Sequence, residues 1–268
     1  MPKSSPHPKP VLLDSSAGVT IDADPSRGQR AALVCILLMA AAARWYGIGE
    51  FSLSLDEIWT IETATGRGSP HLHLPEQTIL APGPDLTSLE GAQPWWRIWT
   101  SMREMTHPPL YLIVLRGWME VFGDGAIAIR SLSAGASLIA VFLLYDVVRA
   151  LLARTPALWA ALLMAIAGPQ VQFAQEARPY AFMVMLALLA ASALVRITRF
   201  DVTLARVGAT PARVGAFALA LFALMLTHYF AVGTAGALAL YGLLRTREAD
   251  RRRLLVALML VGAAFALA

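Results

Sequence analysis

Charge is scarce in this sequence. Asp, Glu, Lys and Arg make up 15% of its 268 residues, where a soluble domain carries about a quarter. Cysteine is nearly absent. The single Cys35 rules out an internal disulfide and a cysteine metal cluster. It lies inside an apolar run, where it reads as a small packing residue. The chain has no Gly-rich phosphate loop, no nucleophile elbow and no zinc-binding helix motif, which removes the nucleotide-hydrolase, serine-hydrolase and metalloprotease patterns. No internal repeat and no low-complexity tract is evident. Apolar residues, by contrast, are abundant. They make up 57% of the chain and give a mean hydropathy of +0.59. They are gathered into long runs, so the solvent for most of the chain is a bilayer. The net charge of +4 does not point to nucleic acid, because the basic residues sit at the ends of those runs and there report orientation.

Residues 1–29 are rich in Pro, Ser and Asp without apolar periodicity and read as a disordered cytoplasmic tail. Nothing in them matches a cleaved leader, so the first apolar run stays as an anchor. Residues 30–268 form one polytopic transmembrane domain, with expected spans at 31–48, 127–148, 157–175, 180–197, 214–228, 229–244 and 254–268. The last apolar run reaches Ala268 without a polar cap, and the expectation is the N-terminal portion of a longer protein. With the tail inside, 15 of the 22 Lys and Arg fall on the cytoplasmic side, and seven fall outside with 11 of the 18 acids. The positive-inside rule favours this orientation. It also favours splitting 214–244 into a pair of short helices, because one long helix would put Arg245, Arg247 and Arg251–Arg253 outside. By the same reasoning the short apolar stretch 109–122, which carries Arg116 and Glu120, lies in the interface instead of crossing. Residues 49–108 then make one large external loop, Gly- and Pro-rich over 66–94. Trp95, Trp96, Trp99 and Met102 near its end sit at the spacing of an interfacial helix.

Four polar constellations interrupt this pattern. Leu55-Asp56-Glu57-Ile58-Trp59 places two carboxylates where the chain leaves the first span. A partly buried carboxylate there could act as a general base, and the plain alternative is a helix start favoured by negative charge. Thr106-His107-Pro108-Pro109-Leu110-Tyr111 opens a helix with prolines, and His107 just before it could donate to a phosphate. Gln175-Glu176-Ala177-Arg178-Pro179-Tyr180 puts an Arg and a Glu at a membrane boundary. They are costly there unless they pair with each other or are functional, and Arg178 could grip a phosphate with its fork of donors. Thr227-His228-Tyr229-Phe230 falls in the middle of 214–244, at the tip of a helix pair. Its plain alternative is a histidine packed between helices. All four fall on the external face under one orientation. His71 and His73 could touch a metal, but two histidines without a third ligand make a weak site.

At these residues the sequence resembles the polytopic glycosyltransferases of the C-type fold, in the branch of protein O-mannosyltransferases and aminoarabinose transferases known as family 39. The matching stretches are Ser54-Leu55-Asp56-Glu57, His107-Pro108-Pro109-Leu110-Tyr111 with Phe122-Gly123-Asp124, Gln175 to Ala181, and Thr227-His228-Tyr229-Phe230. They occur in the family's order over roughly 50–245. The resemblance implies an all-α membrane protein, a helix bundle with a large external loop after the first span. It implies transfer of a sugar from a polyprenyl-phosphate donor to a protein, lipid or glycan acceptor on the outer face of the plasma membrane. It implies Asp56 as base, with Glu57 beside it as a catalytic candidate, and His107, Glu176, Arg178, Tyr180, His228 and Tyr229 around the lipid phosphate and sugar. The sequence assigns no definite cofactor, and a divalent metal is compatible with this reading. In the aminoarabinose branch the His107 position is usually Lys, so this chain departs from that branch and its charge there depends on pH. The rival readings are a transporter or assembly scaffold, whose charges would line a path across the bilayer, and a relative that binds lipid phosphate without transfer.

Overall fold

The computed structural model describes residues 26–101, 107–198 and 210–267. Most of the expected tail, Met102 and the basic Arg199 and Arg206 lie outside the described residues. The regular structure of the described residues is helical, with no strand among them, and the molecule is an all-α membrane protein. In chain order the helices are α1 (Arg27–Trp45), α2 (Leu55–Ala64), α3 (Trp96–Thr100), α4 (Leu110–Phe122), α5 (Ala126–Leu151), α6 (Arg154–Ile166), α7 (Gly168–Ala174), α8 (Tyr180–Thr198), α9 (Pro211–Met225), α10 (Ala231–Arg245) and α11 (Glu248–Leu267). A short 3-10 turn, Pro70–His73, lies between α2 and α3.

Among the described residues two helices are long and apolar enough to cross a membrane, α5 with 26 residues and α8 with 19. They pack on each other, and small residues are buried on both. Ser133, Ala134, Ser137 and Ala140 on α5 and Ala181, Ala190 and Ser192 on α8 are buried. Small side chains let two backbones approach where lipid offers no hydrophobic drive to associate. At the far end of this pair Asp146 accepts from Ser192 at 2.7 Å, Arg196 at 2.6 Å and Arg149 at 3.1 Å, which ties the C-terminal halves of α5 and α8 together.

The expected span at 157–175 is not one straight helix. It is the pair α6 and α7, bent by 61°. The cause is Pro169. A proline has no N–H, so the carbonyl four residues earlier, that of Ala165, loses its helical partner. Arg44 of α1 replaces it, donating from Nη1 to Ala165 O at 3.0 Å and from Nη2 to Met164 O at 3.3 Å. Its Nε donates to Ser137 Oγ at 2.8 Å. Arg44 is fully buried, and this set of neutral acceptors holds it. The bend is thus secured from a neighbouring helix.

The 214–244 run is two 15-residue helices, α9 and α10, joined by a turn over 226–230. Thr210 caps α9 by accepting from the Arg213 amide, and Pro211 occupies its first turn. One apolar core joins α8 to α11, with Leu194, Phe217, Leu221, Leu224 and Leu254 almost fully buried. A second core, containing Ile61, Ile98, Tyr111, Leu115 and Ile129, fastens α2, α3 and α4 to the start of α5.

Candidate active site

The N-terminus of α2 is built by its own sequence. Ser54 Oγ accepts from the Glu57 amide at 3.3 Å, and Glu57 Oε2 accepts from the Ser54 amide at 2.9 Å, a reciprocal capping box. This rotates the two adjacent carboxylates into opposite environments. Glu57 points inward and is 1% exposed. Its Oε1 accepts from Arg130 Nε at 2.8 Å and from the Ala177 amide at 2.9 Å, and its Oε2 accepts from Arg130 Nη2 at 2.8 Å. Burial alone would raise its pKa. The bonds from Arg130, Ala177 and Ser54 outweigh burial and hold the carboxyl below its usual range. The Asp56 side chain points outward and stays 65% exposed.

Arg178 closes on this helix start from the α7–α8 turn. Its Nη1 donates to Asp56 O at 3.2 Å and to Thr60 Oγ1 at 3.3 Å, and its Nη2 donates to the Tyr180 hydroxyl at 3.1 Å. The Asp56 carboxylate lies 3.5 Å from Nη2. The guanidinium carbon sits 5.4 Å from the centre of the Tyr180 ring. Arg178 is 8% exposed, and its Nε has no hydrogen-bond partner among the described residues. Of the two alternatives for Glu176 and Arg178, the side-chain pair does not form. Glu176 accepts instead from Gln172 Nε2 at 3.0 Å.

Two imidazoles complete the cluster. His107 precedes α4, and the Leu110 amide donates to Leu226 O at 3.0 Å, which fixes the start of α4 against the α9–α10 turn. That places the His107 ring 4.6 Å from the His228 ring, while His228 lies 6.0 Å from Tyr180 and stacks on Phe230 at 5.1 Å. His228 Nδ1 accepts from the Phe230 amide at 3.2 Å, so in the neutral ring the proton is on Nε2. The buried His107 Nδ1 has no partner among the described residues. Burial, then the His228 and Arg178 charges, push His107 down to about 4, with Asp56 opposing. Burial and Arg178 lower His228 as well. Both rings are therefore neutral at pH 7.

The consequence for stability has a definite sign. A histidine with a folded pKa of about 4 and an ordinary value of 6.5 binds fewer protons when folded. Its contribution is complete above the ordinary value and is lost as pH falls towards 4. The thermal midpoint of the protein is expected to drop across this window, and less steeply in His107→Gln. Parallel profiles for the two proteins would contradict the assignment.

The structure thus gathers Asp56, His107, Arg178, Tyr180 and His228 from four separated stretches. Glu57 lies behind the cluster as its support, Glu176 lies to one side, and Tyr229 is 54% exposed on the turn. Sequence reasoning missed Arg130. It spends five hydrogen bonds, two on Glu57 and three on the carbonyls of Ile48, Phe51 and Ser52. An arginine inside an apolar run was the available signal. It also missed Glu62, a fully buried carboxylate at the end of α2 that engages His71. Among the described residues no three His, Cys, Asp or Glu side chains gather as a metal site.

Fold and site together define a helical membrane protein with a carboxylate, an arginine and two imidazoles converging at one end of its bundle. A family model for dolichyl-phosphate-mannose-protein mannosyltransferases matches residues 106–268. The chain belongs to that family, and it is a membrane glycosyltransferase that uses a lipid-linked donor. The match takes in His107, Arg178, Tyr180 and His228, while Asp56 and Glu57 precede it. No curated protein and no solved structure matches the chain.

Proposed function

We propose that the protein moves a sugar from a polyprenyl-phosphate donor to an acceptor on the outer face of the plasma membrane, with Asp56 as the base. The observation that carries this reading is the placement of an open carboxylate 3.5 Å from a buried guanidinium. Beside them two buried nitrogens, Arg178 Nε and His107 Nδ1, lack partners among the described residues. A phosphate would supply acceptors for both, and preorganised donors aimed at a departing charge are a large source of rate. The acceptor hydroxyl or amine attacks the anomeric carbon and gives its proton to Asp56. The bond from that carbon to the phosphate oxygen breaks, and the lipid phosphate leaves with the electron pair. Arg178, His107 and His228 stabilise the leaving group, and Tyr180 orients Arg178.

One carboxylate reaches the reacting centre in this scheme, because Glu57 is consumed by Arg130. A single displacement inverts the anomeric configuration. In proteoliposomes supplied with polyprenyl-phosphate sugars, the product is expected to carry the opposite anomeric configuration to the donor. Retention would refute the single displacement, and absence of transfer across mannosyl, glucosyl and pentosyl donors would favour the lipid-phosphate binder.

A further inference from the structure

Seven arginines lie on the proposed external side; Arg103 is outside the described residues, and four of the other six are spoken for. Arg44 is held by carbonyls and Ser137, Arg130 by Glu57, Arg178 by Asp56, and Arg116 by Glu120 at 2.7 Å. Arg67 and Arg97 differ. Both face one cavity of about 440 Å³, whose walls are Gly66, Arg67, Gln93, Arg97, Thr100 and Ser101. Among the described residues no carboxylate lines it. Arg67 is braced by main-chain carbonyls, those of Asp85 and Glu90, which orient the guanidinium without neutralising it. The Arg97 guanidinium makes no hydrogen bond or ion pair among the described residues, while its backbone is bonded in and around α3. Such a cavity offers two uncompensated cations beside amide and hydroxyl donors.

The walls are held close together. The Gln93 amide donates to Thr65 O at 2.9 Å. Gly66 has φ +77°, and a Cβ there would stand 3.1 Å from Gln93 Cβ and 3.3 Å from Arg97 Cβ. A glycine is what lets the end of α2 and the start of α3 approach this closely. Around α3 the tryptophans are exposed, Trp95 by 60%, Trp96 by 56% and Trp99 by 46%. Exposed indoles in a membrane protein belong at the headgroup level of the bilayer. The cationic cavity therefore opens where phosphates of the surrounding lipid lie.

We propose that the Arg67–Arg97 cavity binds the phosphate of an anionic lipid headgroup and so anchors the external loop to the membrane surface beside the active site. Arginine matches phosphate with two parallel donors, and the Thr100 and Ser101 hydroxyls can satisfy further oxygens. The proposal is independent of the Asp56 chemistry, since no residue of the cluster lines the cavity.

The test is the protection of the full chain against thermal unfolding by added phosphatidylglycerol in phosphatidylcholine nanodiscs. Wild-type protein is expected to gain stability with an apparent affinity that Arg97→Gln weakens roughly tenfold, in line with loss of a charged hydrogen-bonding pair. Arg97 is exposed, so this variant reads binding in a folded protein. Gly66→Val keeps both arginines but spreads the walls, and is expected to weaken protection as well. Equal protection of wild type and Arg97→Gln would overturn the proposal. Inorganic phosphate that gives the same Arg97-dependent protection would overturn the lipid as source and assign the cavity to a soluble anion.

Discussion

Asp56→Asn is expected to reduce sugar transfer by about 10²–10⁴-fold, the contribution a positioned general base makes. The substitution is isosteric and removes one proton-accepting function. It leaves the backbone intact, including the Asp56 carbonyl that accepts from Arg178 at 3.2 Å. The side chain is 65% exposed and touches Arg178 only at 3.5 Å, so the variant should fold and insert as the wild type does. The comparison is made in membranes at matched protein levels, over several acceptor concentrations. A fall confined to the turnover rate is the signature of lost proton transfer. An unchanged rate would remove Asp56 from the chemistry and leave the cluster as a phosphate-binding site.

Arg130→Met is expected to cost about 3–5 kcal/mol, because removing one partner leaves a buried charge without compensation. The stranded group is Glu57, 1% exposed, and three loop carbonyls lose their donors with it. Replacing both partners, Arg130→Met with Glu57→Met, should be less damaging than the single change, since no charge is then left buried. The pH dependence gives a second check. Glu57 is held below its ordinary 4.5, so the pair's contribution is complete above that value and is lost as pH falls through the depressed one. Thermal unfolding of the single and double variants in detergent measures this order. A double variant less stable than Arg130→Met would show that Glu57 is not the liability.

The long apolar runs were legible because length and hydrophobicity are local properties. α5, α8 and the division of 214–244 into α9 and α10 follow from them and from where the arginines fall. The break in the third run was less visible, although Gly168-Pro169 marks it, since apolar content continues across the proline. The different fates of Asp56 and Glu57 show what composition hides. Adjacent carboxylates look alike in sequence, yet a helix start turns them about 100° apart. The Ser54-x-x-Glu57 spacing held the signal that Glu57 caps α2. Its second duty to Arg130 spans 73 residues, and no local pattern encodes a partner at that distance. Arg178 was legible as a cost at a membrane boundary. Its choice of Asp56 over Glu176 was not, because that depends on how α2 docks beside the α7–α8 turn.

Arg44 and Glu57 share a property that reaches beyond their own contacts. Both lie ahead of residue 106, and both complete groups that lie after it. Arg44 satisfies the carbonyl orphaned by Pro169, and Glu57 holds Arg130 and the Ala177 amide that immediately precedes Arg178. Gln175, at the end of α7, donates in the same direction, to the carbonyls of Ala43 and Tyr46. The segment matched by the family is therefore not a self-contained module. A polypeptide begun at residue 106 would keep the helix break, the buried Arg130 and the α7–α8 turn that carries Arg178, and would lose the staples that hold each of them in place.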